Sequence, residues 1–158
     1  MASLQPNRTR VRLHCIPNRS PALSAAAHRP AQAMLFLRVA VAALLFVHGV
    51  FRAATGGVAP FGEFLDSRHI PAGLVVAWGI TVGEIGGTVL LALGRGVRPL
   101  ALWFSAQLVM GIVLVHGPEG WFVVGGGRNG MEYSVTLIAL LLAQAWAAPG
   151  RTGGAAPA

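Results

Sequence analysis

The stretch Ala72–Leu93, AGLVVAWGITVGEIGGTVLLAL, decides the fold of this chain. Its 22 residues include one charged side chain, Glu84. As an α-helix the stretch would be about 33 Å long, which is enough to cross the hydrocarbon core of a bilayer. It therefore predicts a membrane-spanning helix that carries an acidic residue near its middle.

Three further apolar runs predict three further membrane helices, over residues 35–51, 99–116 and 133–148. The connection between the second and third helices, residues 94–98, is so short that these two helices must be antiparallel neighbours. We therefore predict an all-α fold, namely an integral membrane bundle of four helices.

The composition supports this fold class and argues against others. Hydrophobic residues make up 54% of the 158 residues and charged residues 11%, whereas a soluble domain carries about 25% charged residues. The net charge of +7 comes from 12 arginines, but with this hydropathy we expect membrane lipid rather than nucleic acid as the partner. The single cysteine, Cys15, cannot form an intrachain disulfide, so redox chemistry would require a bound cofactor or a partner protein.

The termini differ from the apolar middle of the chain. Residues 1–33 hold five arginines and no acidic residue, so we interpret them as a disordered tail, with Met34 as an alternative start. Residues 34–150 would form the membrane domain, and residues 151–158 a disordered C-terminal tail. With the N-terminus inside, nine of the 12 arginines are cytoplasmic, or four of seven without the tail, which predicts a multi-pass protein with both termini inside.

The two longer connections, residues 52–71 and 117–132, lie on the same, outer side in this topology. In the first, Phe61, Phe64 and Leu65 have the i, i+3, i+4 spacing of a short amphipathic helix on the outer membrane surface, where it would cap the bundle. The second connection is rich in glycine. We interpret it either as a re-entrant lid or as a plain connector.

Arg52 stands at the outer end of the first predicted helix. We interpret it as an anchor for lipid phosphate, and pairing with Glu63 or Asp66 is the alternative. Either interpretation places its charge at the outer surface.

Glu84 is the strongest candidate for chemistry, because a charged carboxylate near the middle of a membrane is costly. Thr81, Glu84 and Thr88 have the spacing i, i+3, i+7, so they form one polar stripe, which we expect to face the bundle interior. The stripe indicates a proton relay or a contact to a quinone or another ligand. The alternative is a protonated carboxyl group that hydrogen-bonds to a neighbouring helix.

Small residues lie beside this stripe. Gly79, Gly83 and Gly87 recur at every fourth position and form two overlapping G-x-x-x-G patterns. Such a pattern lets another helix approach closely, either within the bundle or in a homodimer.

Two histidines, His48 and His116, end the first and third predicted helices, both on the outer side. Two imidazoles at one membrane level could bind a metal, a haem or a quinone carbonyl. A metal would need Glu119 and Glu132 as further ligands. We favour ordinary interfacial hydrogen bonds and predict no metal site.

Several short motifs follow one another along the chain: Leu37–Arg38, Phe46–Gly49, Gly83–Gly87, Leu93–Gly94, Arg98–Ala101, His116 and Glu132–Tyr133. Their order resembles the DoxX family of small bacterial membrane proteins, over about residues 35–150. The resemblance implies a four-helix protein of the bacterial inner, or plasma, membrane. It also implies an oxidoreductase link, because relatives form a subunit of a thiosulfate:quinone oxidoreductase or associate with superoxide dismutase and sulfurtransferase in oxidative-stress defence.

Three functions remain open at this point. The first is a subunit or membrane anchor of a quinone-linked oxidoreductase or oxidative-stress complex, with a soluble redox or sulfur-metabolism enzyme as partner. The second is a non-catalytic membrane scaffold, and the third is a small transporter or proton pathway. Whether the chain is itself catalytic stays open, because it has no complete catalytic site or cofactor motif. The catalytic candidates are Glu84, His48 and His116, and the candidates for cofactor binding are these three with Thr81, Thr88, Glu119, Glu132 and Tyr133.

Overall fold

The computed structural model describes residues 21–148. In this part of the chain all regular structure is helical, which confirms the all-α fold class. The helices are α1 (Pro21–Ala54), α2 (Val58–Ser67), α3 (Gly73–Ala92), α4 (Val97–Gly111), a π-helical turn (Ile112–His116) and α5 (Glu132–Ala147).

Three helical segments are long and apolar enough to cross a membrane: Arg29–Ala54, Gly73–Ala92 and Val97–His116. Large apolar side chains such as Val75 and Trp78 are exposed, as is typical of a surface that faces lipid. The predicted membrane protein is therefore confirmed. α5 is apolar but has 16 residues, so the fourth spanning helix remains a prediction.

The first helix begins earlier in the chain than predicted. α1 begins at Pro21, so residues 21–33 are helical and not disordered as predicted. This segment is rich in alanine, the residue with the highest helix propensity, and one internal proline, Pro30, does not end the helix. The rest of the predicted N-terminal tail, residues 1–20, and the predicted C-terminal tail lie outside the described residues.

The third predicted helix has different bounds in the structure at both ends. It begins at Val97 rather than at Pro99, so the proline lies inside the first turn, where its missing N–H is not needed. At the other end the α-helix gives way to a π-helical turn at Ile112–His116, in which the N–H of Gly117 donates to the carbonyl oxygen of Ile112 at 2.6 Å. Such turns occur often at functional sites.

α1 and α3 pack against each other as antiparallel helices. Gly49 lies opposite Glu84, because a Cβ atom on Gly49 would be 2.8 Å from the Cβ of Glu84. About three turns away, the guanidinium group of Arg38 lies beside Gly94, in the turn after α3. These two contacts define the register between the helices.

The short helix predicted in the first outer connection is present as α2, and it packs on α3. A Cβ atom on Gly73 would overlap the carbonyl oxygen of Gly62, so the two helices meet backbone to backbone. Val58 and Leu65 are buried and pack with Ala77 of α3. α2 is therefore held by the bundle through its buried face.

Two of the three regularly spaced glycines serve packing within the chain. A Cβ atom on Gly83 would overlap the ring of Trp103, and one on Gly87 would lie 3.2 Å from the ring of Phe104. Gly79 has open space around it. Gly83 and Gly87 therefore let α4 approach within the bundle, which is one of the two predicted roles, while a homodimer contact through these glycines stays a prediction.

The interior has two different parts. A packed core lies at the end of the bundle where α3 turns into α4, and its side chains come from α1, α3, α4 and α5. The opposite end holds a smaller cluster around Val58, Leu65 and Ala77 and, next to it, a cavity. The packed core consists of Val41, Ala42, Leu45, Leu91, Ala101, Phe104, Leu137, Leu141 and Ala145.

Candidate functional site

A cavity of about 830 Å³ occupies the interior beyond the packed core. All five helices, the π-helical turn and the connection before α5 contribute to its walls. Most lining side chains are apolar, and Phe61, Phe64 and Leu114 are among them. The polar or ionisable lining residues are His48, Arg52, Glu84, Gln107, His116, Asn129, Tyr133 and Ser134.

The cavity reaches the surface of the bundle. Leu44 and His48 of α1 line it, as do Trp103 and Met110 of α4, and all four are also exposed. Side chains that are both lining and exposed mark the mouth of a cavity.

Arg52 and Glu84 form an ion pair in the wall of this cavity. The Nη1 of Arg52 lies 3.0 Å from Oε2 of Glu84 and donates a second hydrogen bond of 3.1 Å to the hydroxyl of Thr81. The side chains of Arg52 and Glu84 are 15% and 2% exposed. The prediction that Arg52 anchors lipid phosphate, and its alternative of pairing with Glu63 or Asp66, are both wrong.

The reason lies in the register of α1 on α3. Because Gly49 lies directly against Glu84, Arg52 is one turn further along α1 and its side chain reaches back to the carboxylate. The guanidinium group also stacks on the ring of Phe61, with 4.6 Å from Cζ to the ring centroid. This aromatic contact holds the guanidinium on the side that faces Glu84 and adds a cation–π attraction.

Gln107 is a member of the site that the sequence analysis missed. Its Nε2 donates to Oε1 of Glu84, so each carboxylate oxygen has its own donor. Its own oxygen, Oε1, is buried and has no partner among the described residues. A signal was available, since Gln107 is the one side-chain amide in the largely apolar run 99–116.

The polar stripe of α3 faces the interior as predicted, but its threonines do not line the cavity. Thr81, Glu84 and Thr88 are all buried. The Thr81 hydroxyl donates to the carbonyl oxygen of Ala77 at 2.7 Å and accepts from Arg52, while the Thr88 hydroxyl donates to the carbonyl oxygen of Glu84. Thr81 therefore orients the guanidinium group of Arg52, and the Thr88 hydroxyl forms a hydrogen bond within its own helix.

His48 and His116 both line the cavity, together with Tyr133. The Nδ1 of His116 lies 2.8 Å from the carbonyl oxygen of Asn129. A carbonyl oxygen only accepts, so Nδ1 carries the proton, and Nε2 of a neutral ring is an acceptor. His48 does not end its helix as predicted, because α1 continues to Ala54, and the neighbouring Gly49 lies at the level of Glu84.

The two other acidic candidates lie away from the cavity. Glu119 is exposed in the connection after the π-helical turn. Glu132 begins α5, where its Oε1 accepts a 3.0 Å hydrogen bond from the N–H of Val123. Within residues 21–148 the structure shows no group of three His, Cys, Asp or Glu side chains that could hold a metal ion.

The connection between the π-helical turn and α5 folds back on itself and covers the cavity. The N–H of Gly130 donates to the carbonyl oxygen of Phe122 at 3.1 Å, and that of Met131 to Gly120 at 3.0 Å. Asn129 and Gly130 line the cavity from this side. The connection is therefore a cover over one end of the site, as the lid interpretation requires.

Comparison with known proteins places this arrangement in a family. The family model for DoxX matches residues 33–117, which is more than half of the chain. The chain belongs to the DoxX family. The matched region of this DoxX protein includes Arg52, Glu84 and Gln107, together with both histidines of the cavity. No curated protein and no solved structure matched the chain.

Proposed function

We propose that this DoxX protein is the membrane subunit, or membrane anchor, of a quinone-linked oxidoreductase or oxidative-stress complex, and that it binds a quinone in its cavity. The observation that carries the proposal is an apolar cavity whose wall holds the Arg52–Glu84 ion pair, Gln107 and two histidines. Ligand sites are typically apolar with a few convergent polar groups. Ionisable residues inside a membrane domain are costly to keep and usually mark function.

The residues present fit a quinone. Its flat ring requires apolar walls, which Phe61, Phe64 and Leu114 provide. Its carbonyl oxygens require hydrogen-bond donors, and His48 and Tyr133 can both donate into the cavity. A bound quinone supplies reversible uptake of two electrons and two protons. Exposed lining residues on the apolar helices α1 and α4, such as Leu44 and Met110, suit a ligand that is dissolved in the bilayer.

The chain itself offers groups that hold or move protons. The Nε2 of His116 accepts a proton while Nδ1 stays bound to the carbonyl oxygen of Asn129. Glu84 is held by donors on both oxygens, so it serves to orient its neighbours. We therefore assign proton exchange to the histidines and positioning to Glu84.

A partner protein completes the proposal, because the chain has no cofactor motif that could deliver electrons. We expect a soluble redox or sulfur-metabolism enzyme to hold the electron donor. We further propose that α5 is the fourth spanning helix, that both termini are cytoplasmic and that the membrane is the bacterial inner membrane. The excess of arginine in the segments assigned to the inside supports this orientation.

The test is purification of the full chain from its native membrane in mild detergent, followed by mass spectrometry of proteins and extracted quinones. We expect stoichiometric quinone together with a redox enzyme. The Glu84→Gln variant should contain less quinone per protein than the unchanged chain. The matched control is Glu119→Gln, an exposed acidic residue outside the cavity.

Other outcomes would favour the alternatives. A partner enzyme without quinone, unaffected by Glu84→Gln, would favour the scaffold. Absence of both, with proton flux in liposomes that Glu84→Gln abolishes, would favour a transporter or proton pathway.

A further inference from the structure

We propose that the end of the bundle opposite the cavity binds the phosphate group of an anionic membrane lipid. The site consists of Arg38 of α1, Arg95 in the turn between α3 and α4, and Arg98 in the first turn of α4, together called the arginine cluster. The proposal goes beyond the proposed function, because it concerns the other end of the molecule and does not depend on the ligand of the cavity.

The arginine cluster has no acidic side chain of this chain beside it. Glu84 is the acidic residue of α3, but it lies ten residues before Gly94, about 15 Å along the helix, and it pairs with Arg52. Positive charge without nearby carboxylates attracts an anion from outside the chain. The other acidic residues of the chain all belong to α2, to α5 or to the connection before α5: Glu63, Asp66, Glu119 and Glu132.

Arg38 is held against the turn that follows α3. A Cβ atom on Gly94 would be 3.2 Å from Nη2 of Arg38 and 3.4 Å from its Cζ, so the guanidinium group lies over this glycine. The residue is partly exposed, and Nε is the one atom of its guanidinium group that is buried without a hydrogen-bond partner within residues 21–148. An anion would therefore be held by the two Nη groups, whose charge-assisted hydrogen bonds offset the partial burial of the charge.

Capping of α3 does not explain the position of Arg38. A cation near the end of a helix can donate to the last carbonyl oxygens of that helix. In α3, three of the last four carbonyl oxygens already accept backbone N–H groups at 2.9 to 3.0 Å, namely those of Val89, Leu90 and Leu91. The guanidinium group is therefore left for a ligand.

The start of α4 supplies further donors at the same end. Gly96 precedes the helix and has no side chain that could cap it, and the N–H groups of the first turn have no partner within a helix. Such N–H groups, together with the helix dipole, bind phosphate. Arg95 and Arg98 stand on either side of this start and are both exposed. The site thus combines guanidinium groups with backbone donors.

The position of the arginine cluster favours a lipid headgroup over a free phosphate ion. The candidate membrane spans Gly73–Ala92 and Val97–His116 end and begin at this turn, so the turn lies at the level of lipid phosphates. Leu90 and Leu93, next to the turn, are exposed and offer an apolar surface to acyl chains. Basic pockets between membrane helices bind anionic headgroups on the cytoplasmic side, which is the side that the proposed orientation gives to this end.

The experiment is native mass spectrometry of the full-length protein, delipidated in mild detergent and titrated with dioleoylphosphatidylglycerol or dioleoylphosphatidylcholine. We expect the anionic lipid to bind about tenfold more tightly, because its headgroup lacks the choline cation that the arginines repel. Arg38→Gln should remove most of this preference. Arg128→Gln is the matched control, because it removes an exposed arginine from the connection before α5.

A second variant keeps the test decisive if Arg38→Gln fails to fold. Arg98 is exposed, so Arg98→Gln should leave the fold intact and lower the preference several-fold. Equal binding of the two lipids by the unchanged protein, or an equal loss of preference in Arg128→Gln, would overturn the proposal. Binding of glycerol 3-phosphate as tight as that of the anionic lipid would overturn the assignment to a lipid. The quinone content of the purified protein tests the proposed function separately from all these outcomes.

Discussion

The packed core and the cavity are built from the same helices, yet they differ in what those helices bring together. In the packed core, Phe104, Leu91 and Leu141 are fully buried within a cluster of apolar side chains. In the cavity, α1, α3, α4 and α5 leave about 830 Å³ between them and place charged and amide groups in the wall. The comparison indicates that the close-packed region and the proposed ligand site lie at opposite ends of one bundle.

The boundary between the two regions lies close to Glu84. Thr88, one turn further along α3, is buried and bonds only within its own helix, and Leu91 belongs to the packed core. Leu45 and Leu137 line the cavity and also belong to the packed core. The ion pair of Arg52 and Glu84 therefore lies where close packing ends, and its energetics should depend on both regions.

The largest effect should come from breaking this ion pair. Arg52→Met leaves the charge of Glu84 buried without its partner, which should lower the free energy of unfolding by about 3 to 5 kcal/mol. The double variant Arg52→Met with Glu84→Met removes both charges and should regain most of that loss. Denaturant titration in detergent micelles, followed by tryptophan fluorescence, measures both variants.

A loss of less than about 1 kcal/mol in Arg52→Met would contradict the assigned ion pair. It would show that the two side chains do not depend on each other for stability, so the cavity wall would hold no charge pair.

The next largest effect is the difference in stability loss when a leucine is replaced by alanine in each of the two regions. Leu141→Ala in the packed core should cost about 2 to 5 kcal/mol, because it creates a new void among fully buried side chains. Leu114→Ala only enlarges the existing cavity and should cost less than about 1 kcal/mol. The same titration gives both values, and equal losses would show that the two regions are packed alike.

Adding one methyl group to a helical glycine should have opposite signs at two positions. At Gly49 a Cβ atom would be 2.8 Å from the Cβ of Glu84, so Gly49→Ala should destabilise the protein by about 1 to 3 kcal/mol. At Gly111 the nearest atom is Cδ2 of His116 at 4.0 Å, so Gly111→Ala should stabilise it by about 0.5 to 1 kcal/mol through helix propensity.

Thermal unfolding of the two alanine variants in the same detergent measures this contrast. If Gly49→Ala were neutral, α1 would not be in direct contact with α3 at Glu84, and the register that places Arg52 in the site would be wrong.

The smallest effect should be confined to the cover of the cavity. Glu132→Ala removes the acceptor for the N–H of Val123, which should loosen the connection between the π-helical turn and α5 by about 1 kcal/mol. Hydrogen exchange of residues 117–131 should accelerate several-fold, while the packed core keeps its protection. Glu119→Ala serves as the control, and similar acceleration there would show that general loss of charge is responsible.

Several features of the fold could be predicted because they depend on short stretches of sequence. Each apolar run is a local property, so the helices at Ala72–Leu93 and its neighbours were found without knowledge of their partners. The inward direction of Thr81, Glu84 and Thr88 also follows from helical periodicity alone. Boundaries were less accurate, since the alanine-rich start of α1 lacks the hydropathy that marked the rest of that helix.

Which residues come together in the site could not be predicted in the same way. The sequence places Arg52 at the membrane surface because this arginine follows an apolar run. A buried acid requires a partner, however, and in the structure Arg52 is the partner of Glu84. Gln107 was overlooked because nothing in its own run connects it to Glu84. Each of these contacts depends on how far one helix is shifted along another.

By itself, then, the sequence determined an all-helical membrane protein with one acidic residue on an inward stripe, because hydropathy and helical periodicity act within a single segment. Only the tertiary structure decided that Arg52 and Gln107 surround Glu84 and that a cavity opens beside them. These residues are 32 and 23 positions away from Glu84 in the chain. Their meeting depends on the register set by contacts such as that of Gly49 with Glu84, which no single segment encodes.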